Sequence, residues 1–397
     1  MIIVKKLFIS FVCICCGLCV RAQQPDDVQV GPWVTAVRTE GTEATAKILW
    51  TSYNDGMGWV ELDDGTRIFD TFAGRRTVEH LHCVTLDGLP AGRSIRYRVG
   101  GQALSDGSDP SYPEFMEEYS HPWTSFKTLD NVSDVCRFSM INDIHLNVDA
   151  YKSLASQIDP AVTDFIFLCG DIASRDNYSL DKLLHYEIEP IESLTSCIPV
   201  RFARGNHEGC GLSIKEVARI YPQPDDHDGG EFYYTFRQGP VAFIVFDGGE
   251  TQEKRAFLYS GDKVYDEYIA EQIKWAGHAM KEPSFKEAPV KVCLVHVPMI
   301  DHPNKSSYQL QRYLNKTVVP LLNEAGVDLM IGADLHTYML CKEGTMGNDF
   351  PILVNRNEER LDFVYENGEI RINCFSASGR NTHTLTFEVG RASANAL

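Results

Sequence analysis

Five apolar segments of the sequence end in residues of the types that bind metal ions, and this pattern limits the fold more than any other feature. The ends are Asn142-Asp-Ile-His145, Cys169-Gly-Asp171, Arg204-Gly-Asn-His-Glu208, His296 and Gly332-Ala-Asp-Leu-His336. In open α/β sheets the carboxyl ends of the strands share one edge, where ligands bind, so we expect these five ends to meet. Their mixture of carboxylate, amide and imidazole groups favours zinc, iron or manganese.

Each of these motifs is ordinary by itself. A Gly-Asp pair at a strand end is usually a turn, and a histidine in an apolar run is usually a hydrogen-bonded core residue. The ordered set is far more specific than its parts. Gly170 and Gly205 each precede a polar residue at a strand end, where a residue without Cβ lets the backbone turn sharply and approach a ligand.

From residue 135 onward, strand-like and helix-like segments alternate, which predicts an α/β domain with a largely buried sheet. The predicted strands are 137–141, 164–168, 198–203, 241–246, 290–295 and 327–331. The predicted helices are 150–158, 180–194, 214–220, 266–280 and 308–323. The tail, 363–389, returns to a strand pattern and predicts added edge strands.

Residues 30–128 are predicted to form an all-β sandwich. Short runs rich in β-branched and aromatic residues occupy 47–52, 58–62, 80–86, 94–99 and 123–128. Turn clusters such as Asn54-Asp-Gly56 separate them, a spacing that is typical of sandwiches. A polar linker is expected at 129–134, between the sandwich and the α/β domain.

Length and charge narrow the class of protein further. A chain of 397 residues exceeds the usual size of a single domain, so we expect two domains. The formal net charge of −18 argues against a nucleic-acid partner, because nucleic-acid proteins usually carry basic stripes. The sequence does not indicate an oligomeric state.

The first 22 residues have the pattern of a signal peptide. Lys5 and Lys6 precede an uncharged apolar run, and small residues offer a cleavage site near Ala22. The protein is therefore expected to be exported, to a periplasm or outside the cell, with no membrane span after cleavage. The alternatives are an uncleaved anchor and a lipid anchor, but no small-residue lipobox precedes the cysteines of this segment.

Beyond this segment the sequence contains eight cysteines. Several of them, such as Cys169 and Cys293, lie inside apolar strand-like runs, where a free thiol behaves as a small hydrophobic group. No Cys-x-x-Cys pair occurs, which excludes a zinc ribbon. The even number permits disulfides in an oxidising compartment, and the spacing leaves their pairing open.

These motifs resemble those of the calcineurin-like metallophosphoesterases, which are dinuclear-metal phosphate ester hydrolases with a four-layer αββα core. The resemblance covers about residues 135–380. The preceding sandwich is similar to the fibronectin-III-like N-terminal domain of purple acid phosphatases, on the segments 80–85, 88–92 and 97–100. The expected organisation is therefore a signal peptide at 1–22, a fibronectin-III-like domain at 25–130 and a metallophosphoesterase domain at 135–390.

The resemblance implies two divalent or trivalent metal ions, of iron, manganese or zinc, and a ligand set for each. For the first metal it implies Asp143, His145, Asp171 and His336. For the second it implies Asp171 as the bridging ligand, together with Asn206, His296 and Asp334. It also implies a phosphate monoester or diester as substrate, hydrolysed by a metal-activated water.

His207 is the expected general acid, because it follows the ligand Asn206 and is expected to face the substrate. Asn206 is expected to contact a phosphoryl oxygen as well. Arg204 is expected to pack or pair near the strand end and to have no catalytic role.

The sequence departs from the family pattern at two positions. Asp334 occupies the place of a metal-binding histidine, and Ser174 that of the tyrosine typical of purple acid phosphatases, so a purple colour is not expected. Asp334 adds negative charge and favours harder cations over zinc.

Three interpretations remain: an enzyme with altered metal preference, an enzyme with a weak second metal site, and a catalytically weak or inactive binding protein. A glycan-binding or adhesion sandwich, with Trp33, Trp59 and Trp123 as a platform, is the alternative from another class.

Overall fold

The computed structural model describes residues 27–174, 179–209, 214–223, 231–249, 265–301 and 309–389. The predicted signal peptide, 1–22, lies outside these residues. In the described part of the chain, no helix is long and apolar enough to cross a membrane. All seven described cysteines are free, and five of them are buried.

The N-terminal region consists of strands. They are β1 (Val28–Glu40), β2 (Glu43–Leu62), β3 (Arg67–Phe69), β4 (Thr71–Phe72), β5 (Arg75–Arg76), β6 (Glu79–Pro90), β7 (Ser94–Ala103), β8 (Tyr119–Ser120) and β9 (Thr124–Lys127). The first half of β2 pairs with β1 and β6, whereas its second half pairs with β3 and β7. This one strand therefore links two groups of paired strands, and its Trp50 and Val60 are both fully buried.

Up to residue 354, helices separate most of the remaining strands, and three further strands follow. The strands are β10 (Cys136–Ile141), β11 (Phe165–Cys169), β12 (Val200–Ala203), β13 (Tyr234–Gln238), β14 (Val241–Phe246), β15 (Val290–Val295), β16 (Leu329–Gly332), β17 (Met339–Cys341), β18 (Ile352–Val354), β19 (Glu359–Glu366), β20 (Glu369–Ser376) and β21 (Asn381–Glu388). The α-helices are α1 (Val148–Ala155), α2 (Leu180–Leu183), α3 (Glu192–Thr195), α4 (Ile214–Ile220), α5 (Tyr265–Ala279), α6 (Pro283–Lys286), α7 (Gln309–Thr317) and α8 (Val319–Ala325).

Two sheets carry these strands. The first sheet has thirteen strands and runs β21-β20-β19-β10-β11-β12-β1-β2-β7-β8, with β3 and β6 on β2 and β9 on β7. The second sheet runs β13-β14-β15-β16-β18-β17. In each sheet the central strands are parallel and largely buried, as their β-branched and aromatic residues predict.

The two sheets pack face to face, with helices on their outer faces. Between the sheets, the rings of Phe138 and Phe243 meet edge to face with centroids 5.6 Å apart. Outside the first sheet, Tyr151 and Leu154 of α1 belong to the core that covers β11. Outside the second sheet, a separate core joins helices α5 to α8 to β14, β15 and β16. This is the four-layer αββα arrangement that was expected, preceded by a large β-rich region.

Strand β1 was missed in the sequence, and it joins the N-terminal region to the first sheet. Its Thr35 pairs with Val200 of β12 in parallel and donates a side-chain hydrogen bond to the Val200 carbonyl (3.0 Å). The indole of Trp33 donates to Ile220 O (2.9 Å), at the end of α4. The sheet is therefore continuous across the predicted domain boundary. The likeness of this region to fibronectin III stays a prediction.

Several local expectations were wrong. Asn54-Asp-Gly56 is no turn but lies within β2. The predicted linker, 129–134, does connect β9 to β10, and its Asp130 O accepts from Gly239 N (2.7 Å). The predicted helix 180–194 is interrupted by a π-helical turn, Leu184–Ile188, and a 3-10 turn, Glu189–Ile191. The predicted helix 308–323 divides into α7 and α8 near Pro320, which lacks the N–H that a continuous helix requires.

The tryptophan platform is also excluded. Trp33 and Trp59 are 0% and 1% exposed. The half-buried Trp123 is covered by the guanidinium groups of Arg96 and Arg98, which lie 4.5 and 4.7 Å from its ring centroid. These tryptophans therefore present no open aromatic surface to a glycan.

Candidate metal centre

The predicted ligands come from both sheets. Asp143 and His145 follow β10, Asp171 follows β11 and Asn206 follows β12, all in the first sheet. His296 follows β15 and the segment with Asp334 and His336 follows β16, both in the second sheet. Because the sheets face each other with these carboxyl ends on one side, the structure brings the predicted residues together. Three tight clusters result: Asp143 with His145 and His336, His145 with Asp171 and His207, and Asp143 with Asp171 and His296.

Two imidazoles and a carboxylate form the exposed side of the site. His336 Nε2 lies 3.2 Å from Asp143 Oδ1 and 3.0 Å from His145 Nε2. His145 Nε2 lies 3.7 Å from the same Asp143 oxygen. Three electron-rich atoms thus converge on one point, as the ligands of one cation do.

Asp171 lies at the middle of the site. Its Oδ2 is 3.4 Å from His296 Nε2, 3.7 Å from His207 Nε2 and 4.0 Å from His145 Nε2. Its other oxygen accepts the main-chain N–H of His207 (2.8 Å). One carboxylate oxygen is therefore fixed by the backbone, and the other faces imidazoles on both sides.

His296 and Asn206 form the buried side. His296 is fully buried, and its Nδ1–H donates to Cys169 O (2.6 Å), which turns Nε2 toward Asp171. The Asn206 amide faces the carboxylates of Asp171 and Asp334. In the orientation that turns its nitrogen toward them, it donates to Asp171 Oδ2 (3.3 Å) and to Asp334 Oδ1 (3.1 Å). With its oxygen in that place, three oxygens converge, an arrangement that suits a hard cation. Asp334 contacts this amide and belongs to none of the three clusters of described residues.

The donor set fits a metal centre. Asp143 Oδ1 and His296 Nε2 are buried and have no hydrogen-bond partner. Facing lone pairs in a buried site repel each other unless a cation lies among them, and the cation is either a proton or a metal ion. Oxygen and imidazole atoms at this spacing are ligands of iron, manganese and zinc.

The site residues have unusual backbone conformations. Asp143, His145, Asp171, Asp334 and His336 all have φ between 48° and 64°, in the left-handed region. L-residues adopt this region at a cost of about 1–3 kcal/mol each, and such residues concentrate at functional sites. These backbone conformations therefore lower the stability of the folded protein, and they occur at the residues that form the site.

Two glycines allow the loops to approach each other, as the sequence predicted. Gly170 has φ 68°, and a Cβ there would lie 2.6 Å from the Gly205 backbone and from His296 Nδ1. A Cβ on Gly205 would collide with Asp171 and Glu208. Side chains at either position would separate the loops that carry Asp171 and Asn206.

Glu208 supports the site, although no role was assigned to it in the sequence. It is buried, and its carboxylate accepts main-chain N–H groups from Asp171 (2.9 Å), Gly205 (2.9 Å) and Ile172 (3.0 Å). Burial and the charge of Asp171 raise the pKa of Glu208 to about 7, against the opposing effect of these hydrogen bonds. The sequence feature that could have pointed to Glu208 is its place in Gly-Asn-His-Glu, directly after the predicted site residues.

Arg204 forms a buried, bidentate ion pair with Asp247, with both N–O distances 2.8 Å. Asp247 also accepts from Tyr268 Oη (3.0 Å). The pair joins the loop after β12 to the loop after β14, and hence the first sheet to the second. The expectation that Arg204 pairs near the strand end is confirmed.

The electrostatics favour charged forms at the centre. Burial opposes ionisation of Asp143 and Asp171, but the charge of His296 and the contacts of neighbouring side chains together outweigh it and lower the pKa of both carboxyl groups. Burial likewise opposes the charge on His296, but Asp171 and Asp143 raise its pKa well above the ordinary value. The close contact with the Asp143 carboxylate raises the pKa of His336. The site therefore stabilises positive charge between its carboxylates.

Two packed sheets, outer helices and a cluster of carboxylates and imidazoles at the shared sheet edge define a metallophosphoesterase fold. The sequence from 136 to 338, half of the chain, matches the model of the calcineurin-like phosphoesterases. The chain belongs to the calcineurin-like phosphoesterase family. Membership implies phosphate esters as substrates and divalent metal ions as cofactors.

A solved structure shares the fold. Purple acid phosphatase PPD1 from seeds of yellow lupin (Lupinus luteus) is similar with a TM-score of 0.63 and 14% identity, over 90% of this chain and 74% of that chain. TT1561 of Thermus thermophilus matches 64% of this chain with all of its own, at 12% identity and a TM-score of only 0.39. No curated protein matches the sequence.

Proposed function

We propose that the protein is an exported, dinuclear-metal phosphoesterase that hydrolyses phosphate monoesters or diesters. The observation that supports it most is the position of Asp171 Oδ2, which faces His145 on one side and His296 on the other, 4.0 and 3.4 Å away. A carboxylate oxygen shared in this way suits a bridging ligand between two ions. The predicted signal peptide supports export.

Each predicted ligand is assigned to one metal position or to both. Asp143, His145 and His336 would hold the first ion, Asn206, His296 and Asp334 the second, and Asp171 both. Metal ions in such a site lower the pKa of a bound water and neutralise phosphoryl oxygens. The fixed main-chain contact to Asp171 Oδ1 keeps its other oxygen directed at the site, so little reorganisation is needed.

His207 is suited to protonate the leaving group. Its side chain is partly exposed, and its Nε2 lies 3.7 Å from Asp171 Oδ2, so a proton on it is stabilised next to the substrate position. The ring centroid of His145 is 4.7 Å away. Since His207 occupies the same edge as the ligands, a phosphate ester bound there would place its leaving oxygen within reach of this imidazole.

Asp334 makes the second metal position rich in oxygen. Together with Asp171 and Asn206 it supplies three oxygen donors beside one imidazole, which favours manganese, magnesium or ferrous iron over zinc. Because Ser174 lies where a phenolate would be, no purple charge-transfer colour is expected.

The test is a metal count combined with an activity screen. The full-length protein should contain two ions per chain and should hydrolyse p-nitrophenyl phosphate or bis(p-nitrophenyl) phosphate. A chelator should abolish turnover, and manganese should restore it. Turnover that survives complete metal removal would contradict the proposal.

Asp334 also supports a second candidate, a weak or inactive phosphoesterase-fold binding protein. Its carboxylate contacts Asn206 and lies outside the three tight clusters of described residues, which is compatible with a weak second metal site. Full metal occupancy without turnover on a broad panel of esters would favour this candidate.

A further inference from the structure

Hydrogen bonds orient the carboxylate of Asp143. Its Oδ2 accepts from Asn142 Nδ2 (2.7 Å) and from the main-chain N–H of Asp334 (3.1 Å). Its Oδ1 accepts no hydrogen bond and faces His336 Nε2. Two donors on one oxygen therefore leave the other oxygen for a metal ion.

The orientation of the Asn142 amide is determined by its neighbours. Asn142 is fully buried, and its Nδ2 faces two acceptors, Asp143 Oδ2 and Arg356 O (3.1 Å). Its Oδ1 accepts from Asn355 Nδ2 (2.8 Å). Because one end of the amide faces only acceptors and the other faces a donor, the amide cannot turn over without losing these bonds.

Asn355 contacts both sheets at the edge that carries the site. It follows β18 and is fully buried. Its main-chain N–H donates to Gly332 O (2.8 Å), at the end of β16 and just before Asp334 and His336. Its side-chain amide donates to Asn142, at the end of β10, and to Glu359 O (3.1 Å). One residue thus aligns the two strands whose ends supply the exposed side of the site.

We propose that Asn355 is a positioning residue of the metal centre, which acts through Asn142 on Asp143. This inference rests on the proposed function. Asn355 touches no predicted ligand with its side chain, yet it presents a donor to Asn142, which in turn presents a donor to Asp143. The relay keeps Asp143 Oδ1 directed at the first metal position. Such partners of ligands commonly affect metal affinity by about 10–100-fold.

The substitution Asn355→Asp tests the relay because it preserves shape and reverses polarity. The new carboxylate would place an acceptor opposite Asn142 Oδ1, which is also an acceptor. Because the two oxygens repel each other, the Asn142 amide would turn over and present its oxygen to Asp143. We expect the first ion to bind about 10–100-fold more weakly and the second to be retained. The measurement is titration calorimetry of the chelator-treated, full-length protein with Mn²⁺.

Asn348→Asp is the matched control. Asn348 is also fully buried, and its amide donates to Lys342 O (3.1 Å) in the turn between β17 and β18, with no predicted ligand among its partners. We expect this variant to lose thermal stability while it keeps the wild-type affinity for Mn²⁺. If Asn355→Asp does not fold, Asn355→Ala removes the donor without adding charge and is judged in the same way.

A double-mutant cycle tests the route. If Asn355 acts through Asn142, then Asn142→Ala combined with Asn355→Asp binds Mn²⁺ no more weakly than Asn142→Ala alone. Effects that add, or an Asn355→Asp affinity equal to that of Asn348→Asp, would overturn the relay and leave the proposed function intact. A wild-type protein that takes up no metal would overturn both.

Discussion

The two sides of the metal centre differ in burial, and the difference indicates how firmly each would hold an ion. On the first side, the side chains of His145 and His336 are 25% and 50% exposed. On the second side, His296 is 0% exposed and its orientation is fixed by Cys169 O. Exposed charges interact weakly because water screens them, whereas an uncompensated buried charge is costly. We therefore expect an exchangeable first ion and a strongly held second ion.

Replacing Asp171, the residue that both sides share, should have the largest effect. Asp171→Asn removes the negative charge that faces His145, His207 and His296, so both ions should be lost. Turnover should fall by about 1000-fold, which corresponds to about 4 kcal/mol of transition-state stabilisation. Metal analysis by mass spectrometry and hydrolysis of p-nitrophenyl phosphate measure the two losses.

Asp328→Asn provides the control for this change. Asp328 also accepts a main-chain hydrogen bond, from Lys291 N (2.8 Å), but it precedes β16 and lies at the end of the second sheet away from the site. This variant should keep both ions and its turnover. Equal metal content in Asp171→Asn and Asp328→Asn would contradict the role of Asp171 as a ligand shared by the two ions.

The comparison between the sides is tested directly by removing one histidine from each. His296→Ala removes a buried imidazole ligand, and metal affinity should fall by about 10²–10³-fold, which corresponds to about 3–4 kcal/mol. His336→Ala removes a half-exposed ligand of the first ion and should cost about 2 kcal/mol, or about 30-fold. Calorimetric titrations with Mn²⁺ give both values, and equal losses would contradict the inferred difference.

The sequence predicted the strand ends of the site well, because an apolar run that stops at a charged or imidazole side chain usually marks a buried strand reaching a sheet edge. Both β14 and β15 have the predicted bounds. The five predicted carboxylate and imidazole ligands other than Asp334 lie in the three clusters, together with His207. Local pattern was sufficient there, because these strands are buried on both faces.

Contacts between distant segments could not be predicted in this way. Strand β1 contains Gly31-Pro32, which has the local pattern of a turn, and its pairing with β12 depends on a residue 165 positions away. Glu208 has the sequence signature of a surface residue, although it is buried. Asn355 appears in the sequence as one loop asparagine among others. The supporting residues of the site are thus specified by tertiary structure.

Glu208 accepts a hydrogen bond from the main chain of Asp171, and its replacement should change the pH dependence of the protein's stability. Its pKa is about 7 in the folded protein against a reference of 4.5, so between these values the folded state holds a proton that the unfolded state has released. Stability of the metal-free protein should therefore fall as pH rises from about 4.5 to 7, by up to about 3 kcal/mol from this group.

The Glu208→Gln variant should be less stable at low pH, because its amide cannot accept from main-chain N–H groups on both ends. Its stability should also decline less steeply between about pH 5 and pH 7 than that of the wild type. Urea unfolding of both proteins across this range gives the difference in slope. Parallel curves would show that Glu208 is ionised at every pH in the folded protein.

The smallest expected effect concerns the identity of the second ion. Asp334→His exchanges an oxygen donor for an imidazole beside Asn206 and removes one negative charge, so the second position should shift from manganese toward zinc. The shift in the ratio of the two affinities should be about 5-fold, the effect of about 1 kcal/mol, because Asp334 is only partly buried. Competition between Zn²⁺ and Mn²⁺, followed by metal analysis, measures it. His336→Gln, a change on the exposed side, should leave the preference of the second ion unaltered. An unchanged ratio in Asp334→His would place Asp334 outside the metal's coordination and would leave His296, Asn206 and Asp171 as the whole protein contribution to the second side.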